Sequence, residues 1–119
     1  MNTVDVEFNG QNKQLRFDIN AIADIEEYFG KGIGSIFSET QVGFSTIRAF
    51  YWAGLKWKDR GLTIERAGKL VQAKVNDGET IETLMVPIFK ALQLSGVLGK
   101  QDVIDGEFLD VEEGEGKNA

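Results

Sequence analysis

The chain has 119 residues, 42% of them apolar, and a formal charge of −6, which suits one domain with one core and leaves little room for a second. It contains neither cysteine nor histidine, which excludes disulfide frameworks, thiol nucleophiles, Ser-His-Asp triads and the usual zinc and haem sites. Only carboxylates, lysines, tyrosines and hydroxyls remain for acid–base work, so neither an enzyme nor a cofactor is expected.

The first segment alternates, with Val4, Val6 and Phe8 on one face and Asp5 and Glu7 on the other. After Asn9-Gly10, Leu15 and Phe17 alternate with Gln14 and Arg16, which reads as a β-hairpin. A two-residue Asn9-Gly10 turn would pair Phe8 with Gln11 and Val4 with Leu15. A four-residue loop would pair Val6 with Leu15 and Val4 with Phe17, and is preferred because apolar residues then face apolar residues. Two strands are marginal alone in water, so this face needs helices beneath it.

Asp18 or Asn20 can cap the next helix, which carries Ile22, Ile25 and Phe29 at helical spacing and stops at Gly30. Gly30-Lys31-Gly32-Ile33-Gly34 reads as a flexible link, followed by a short turn with Ile36 and Phe37. The second helix is expected over about 45–58. There Ile47, Phe50, Tyr51, Gly54, Leu55 and Trp57 share one arc, with Trp52 outside it between Arg48 and Lys56. Thr63 caps the third helix, Glu65 suits its positive end, and Asn76-Asp77-Gly78 breaks it. The fourth begins near Glu79 or Thr80 and carries Ile81, Leu84, Met85, Ile88, Phe89 and Leu92. Pro87 either lies inside that helix or opens a separate one. The expected fold is mainly α (α+β): an N-terminal β-hairpin packed on four to five short helices.

Residues 1–99 form the expected helical domain, and 100–119 an acidic tail. The tail holds seven acids against Lys100 and Lys117, a net −5, while the rest of the chain nets −1. Such a composition predicts a disordered, solubilising end. No basic footprint for nucleic acid exists in the body, and no run approaches the ~18 apolar residues of a membrane span. The opening Met1-Asn2-Thr3-Val4-Asp5 has no basic start before an apolar run, so a cytoplasmic location is expected.

Gly30-Lys31-Gly32-Ile33-Gly34-Ser35 fails as a phosphate loop: no Ser or Thr follows the lysine directly, and Ser35 stands where a dinucleotide loop needs glycine. The acids Asp102, Asp105, Asp110 and Glu112 miss the spacing of a calcium loop. Adjacent pairs such as Glu26-Glu27 point about 100° apart on a helix and form no acid/base pair. The aromatic cluster is more informative. Phe50, Tyr51 and Trp57 fit a core, whereas Trp52 either meets a second packed element or faces a partner. Phe50, Trp52 and Trp57 are therefore the candidate partner-binding residues.

Three stretches carry a family likeness in their order: Leu15-Arg16-Phe17-Asp18-Ile19-Asn20-Ala21-Ile22-Ala23-Asp24-Ile25-Glu26, then Thr46-Ile47-Arg48-Ala49-Phe50-Tyr51-Trp52-Ala53-Gly54-Leu55, then Leu62-Thr63-Ile64-Glu65-Arg66-Ala67-Gly68-Lys69-Leu70. This order resembles the tail assembly chaperones of long-tailed bacteriophages, prophages and gene transfer agents, over about residues 4–95. The resemblance implies a protein that coats the aggregation-prone tail tape measure protein, keeps it soluble and recruits tail tube subunits. It also implies a second, longer product made by ribosomal frameshifting near the end of the short one. Encoded as GGA-AAA-AAC, Gly116-Lys117-Asn118 would contain a slippery heptamer. Self-association into a homo-oligomer stays open. The alternative expectations are a structural tail or head–tail component of the particle, or an unrelated protein-binding module.

Overall fold

A computed structural model describes residues 2–39 and 41–99. Two antiparallel strands, β1 (Val4–Phe8) and β2 (Gln11–Leu15), are followed by five helices: α1 (Ile19–Phe29), α2 (Ile33–Glu39), α3 (Phe44–Leu55), α4 (Ile64–Asn76) and α5 (Ile81–Ser95). The expected α+β hairpin-on-helices architecture is therefore the observed one. The acidic tail, and with it the frameshift site, lies outside the described residues.

The hairpin takes the two-residue turn, not the preferred four-residue loop. Val4 pairs with Leu15, Val6 with Lys13 and Phe8 with Gln11. Turn chemistry decides the register. Asn9 and Gly10 adopt φ of 52° and 81°, the paired left-handed conformation that matches the twist of a tight hairpin. Apolar matching is sacrificed on β2, where only Leu15 is fully buried, and Phe17 enters the core from beyond the strand.

Helix ends follow the caps. Asp18 accepts from Ala21 N–H at 2.9 Å, Thr63 from Arg66 N–H at 3.1 Å and Thr80 from Thr83 N–H at 3.3 Å. Gly30 (φ 72°) closes α1 in the left-handed conformation. The glycine-rich link is shorter than expected. A Glu26 carboxylate oxygen accepts from Ile33 N–H at 2.8 Å and so starts α2 at Ile33, with Gly34 inside the helix. Ile36 then enters the core as a helical residue. Pro87 lies within one continuous α5 and opens no new helix.

The third helix is the central member. Its buried residues run nearly around its circumference: Thr46, Ile47, Ala49, Phe50, Tyr51, Ala53, Gly54 and Leu55. That is broader than the single arc read from the sequence, because α1, α4, α5 and β2 all pack against it. The helix also ends at Leu55, three residues early: Lys58 and Asp59 both donate to the Leu55 carbonyl (3.3 Å each), turning the chain off the helix axis.

The hairpin meets α3 at Gly54. Arg16 N–H donates to the Gly54 carbonyl at 2.9 Å. A Cβ on Gly54 would stand 2.6 Å from Leu15 Cδ1 and 3.0 Å from the Phe17 ring, both of which are enclosed. Higher in the same helix, Tyr51 Oη donates to the Leu84 carbonyl of α5 at 2.7 Å, and its ring takes the edge of Phe8 at 5.8 Å.

Gly54→Ala should lower stability by about 1 kcal/mol, because overpacking at two enclosed side chains, about 2 kcal/mol in the middle of the usual range, outweighs alanine's helix preference of about 1 kcal/mol. Urea denaturation reads this, and an unchanged or raised midpoint would contradict the contact.

Burial first, and the Glu79 charge second, push the Tyr51 phenol far above its ordinary 10.0. The unfolded chain releases that proton near pH 10 and the folded one retains it. Stability from this group is thus complete below about pH 10 and falls above it by up to about 1.4 kcal/mol per pH unit. Tyr51→Phe should remove that one-proton slope while costing about 1 kcal/mol at neutral pH through the lost hydrogen bond. Equal alkaline slopes in the two proteins, measured by denaturation from pH 8 to about pH 11, would be the opposite result.

Candidate functional site

The three candidate aromatics occupy three different environments. Phe50 is fully enclosed, its ring against Phe17 at 5.9 Å and Phe37 at 5.5 Å, so in this fold it supports a surface and does not form one. Trp52 is half-buried between elements. Its ring lies 6.3 Å from that of Tyr28 on α1, and Nε1 donates to the Leu62 carbonyl before α4 at 3.2 Å. The second packed element allowed for Trp52 is therefore present on both sides of it. Trp57 stands in the turn after α3, and its Nε1 donates to the Gln14 carbonyl of β2 at 3.0 Å.

The polar side of α3 faces neighbouring helices. Lys56 pairs with Asp24 of α1 at 2.8 Å and lies 4.3 Å from the Trp52 ring centre. Arg48 Nη2 donates to Tyr28 Oη at 3.2 Å. The Arg48 stem crosses α4 at Gly68, where a Cβ would come within 3.0 Å of Arg48 Cδ. Gly68 lets the two helices approach there, and a long side chain closes the seam.

At the start of α3 that seam opens into a groove of about 330 Å³. Phe44 stands on its rim, 50% exposed at the first position of α3. Gly43 precedes it as an extended cap and donates its N–H to Thr46 Oγ1 at 3.4 Å. From α4 come Gly68, Val71, Gln72 and Val75. These four recur at helical spacing, so one face of α4 forms the wall.

The electrostatics of this groove are set by Arg48. It lines the cleft, and among the described residues its buried Nε–H has no acceptor. An unpaired buried donor is costly, on the order of 1–3 kcal/mol, and more when the group is charged. Nε is closed off from solvent, so a ligand carbonyl or carboxylate would recover that loss only once the Arg48 side chain turned toward the groove, while Phe44, Val71 and Val75 would take an apolar side chain. The cleft thus fits a peptide segment carrying both.

Periodicity on α3 alone does not single out this groove. Phe44 falls before the expected helix start, and Arg48 looks like an ordinary solvated residue. The one available signal was Gly68, a glycine in the middle of an otherwise good helix, which commonly marks a close approach. Among the described residues, no group of three or more acidic residues is placed to hold a metal ion, and no helix is long and apolar enough to cross a membrane. Compared with known proteins, the chain matches no family model, no curated protein and no solved structure at a significant level.

Proposed function

We propose that this protein is a tail assembly chaperone: it binds the tail tape measure protein, keeps it soluble in the host cytoplasm, and presents it to tail tube subunits. The reading rests on three stretches whose order resembles that family, supported by where they fall in the fold. They are separated in sequence yet build one joint. Arg16 of the first bonds Gly54 of the second, and Trp52 of the second bonds Leu62 of the third. Arg48 of the second packs on Gly68 of the third. Residues that carry the likeness thus hold α3 in place, Arg16 through its backbone and Trp52 and Arg48 through their side chains, and α3 and α4 together form the groove.

Chemically, the groove suits this work. Tape measure proteins are long and helical, and a helix offers apolar side chains at i, i+3 and i+4 to a cleft of this kind. Many copies along one long partner turn modest individual contacts into firm coverage. The drive is burial of apolar surface, with Arg48 setting orientation through a single acceptor.

Co-expression of the chain with its cognate tail tape measure protein should raise the soluble yield of that protein. Phe44→Asp should remove most of the gain, since losing an aromatic anchor costs about 2 kcal/mol, over tenfold in affinity. Thermal stability should change little because Phe44 is half exposed. Equal soluble yield with and without the chain would refute the proposal, and stoichiometric retention in purified particles would favour a structural tail component instead.

A further inference from the structure

A second surface, at the opposite end of α3 from the groove, is built around Trp57. Two cations attend its ring: the Arg16 guanidinium at 5.1 Å and the Lys58 ammonium at 5.8 Å from the centroid. Clefts of about 460 and 420 Å³ lie beside it, one lined by Lys56 and Arg60, the other by Lys13 and Lys58.

The acids among these residues are already engaged. Asp24 pairs with Lys56 at 2.8 Å, Asp59 with Arg66 at 3.3 Å, and Asp18 caps α1 by accepting from Ala21. Lys13, Arg16, Lys58 and Arg60 thus supply positive charge with no ion-pair partner among the described residues. Set against the charge of Asp18, which a backbone N–H does not neutralise, these four cations leave a net of +3 on this face, a local anion-attracting field in a body of net charge −1.

The chain carries its own complement. Residues 100–119 have a net charge of −5 and interleave the acids with Val103, Ile104, Phe108, Leu109 and Val111. Acidic and apolar residues in one short segment match a surface of cations around an indole. Reach is no obstacle: twenty residues can span up to roughly 66 Å, and the molecule's longest dimension is 44 Å. Tethering at Gly99 also places the segment at an effective concentration on the order of millimolar, at which weak contacts are occupied.

We propose that residues 100–119 dock in cis on the Trp57 face, with their carboxylates on Lys13, Arg16, Lys58 and Arg60 and an apolar side chain against the indole. Docked there, the segment occupies this face until a more strongly acidic or apolar partner segment displaces it. The proposal is independent of the α3–α4 groove and of what that groove binds.

The test uses the full chain. Because it has no cysteine, Asp110→Cys provides a single site for a nitroxide spin label. At low salt the label should broaden the Trp57 indole N–H and the Lys58 and Arg60 amides at least about threefold more than the Phe44 and Ser45 amides, which lie about 18 Å away along α3. Raising the salt to about 0.5 M should largely abolish the difference, since the screening length then falls to about 4 Å. Lys58→Glu with Arg60→Glu should abolish it at low salt. Should that variant lose its fold, the salt series on the parent chain decides alone. Uniform broadening, or a Trp57 effect indifferent to salt, would overturn the proposal. Transfer of the effect to an isotope-enriched, unlabelled chain mixed with the labelled one would overturn docking in cis.

Discussion

The close approach at Gly54 is the constraint on which the remaining architecture depends. A two-stranded hairpin has too little surface to hold itself, so Leu15 and Phe17 must find a partner. They find it where α3 presents no side chain at all, and a backbone bond from Arg16 to Gly54 fixes the position. With the hairpin so placed, Phe8 reaches Tyr51, and Tyr51 reaches the Leu84 carbonyl on α5. One small residue in the central helix therefore sets how the N-terminal sheet and the last helix are joined.

Being buried nearly all round, α3 exposes its chemistry only at its two ends. The start carries Phe44 and opens onto α4; the end turns away and carries Trp57 back to β2. The residues between them, Arg48, Trp52 and Lys56, bridge to α1 and α4. The two surfaces proposed for docking thus lie apart, at opposite ends of one helix. One is apolar with a single unpaired donor, and the other is aromatic and cationic. That separation is compatible with the chaperone role proposed above, in which one surface holds a polypeptide while the other engages a different segment.

Local signals carried much of the fold. The cap at Thr63, the cap at Asp18 (with Asn20 as its rival) and the stop at Gly30 were legible because each acts through its own backbone. What could not be read came from competition between levels. Apolar matching favoured a longer hairpin loop, yet the left-handed preference of Asn9-Gly10 prevailed. Helical periodicity extended α3 to about Lys58, yet the Trp57 indole found the Gln14 carbonyl and the helix stopped at Leu55. The aromatic residues were recognisable as important, but not their division into core, seam and surface, which depends on where α1 and α4 pack. The groove at Phe44 escaped notice for the same reason: it belongs to two helices, and neither reveals it alone.

Hydrogen exchange at the Arg16 amide probes the hairpin–α3 junction most directly. If Arg16 N–H is held by Gly54 inside the common core, it should exchange only through global unfolding, with the same free energy as the Ile47 and Ile88 amides. Exchange as fast as that of the exposed Gln11 amide beside the turn would mean that the hairpin detaches on its own, and that Gly54 does not organise the fold.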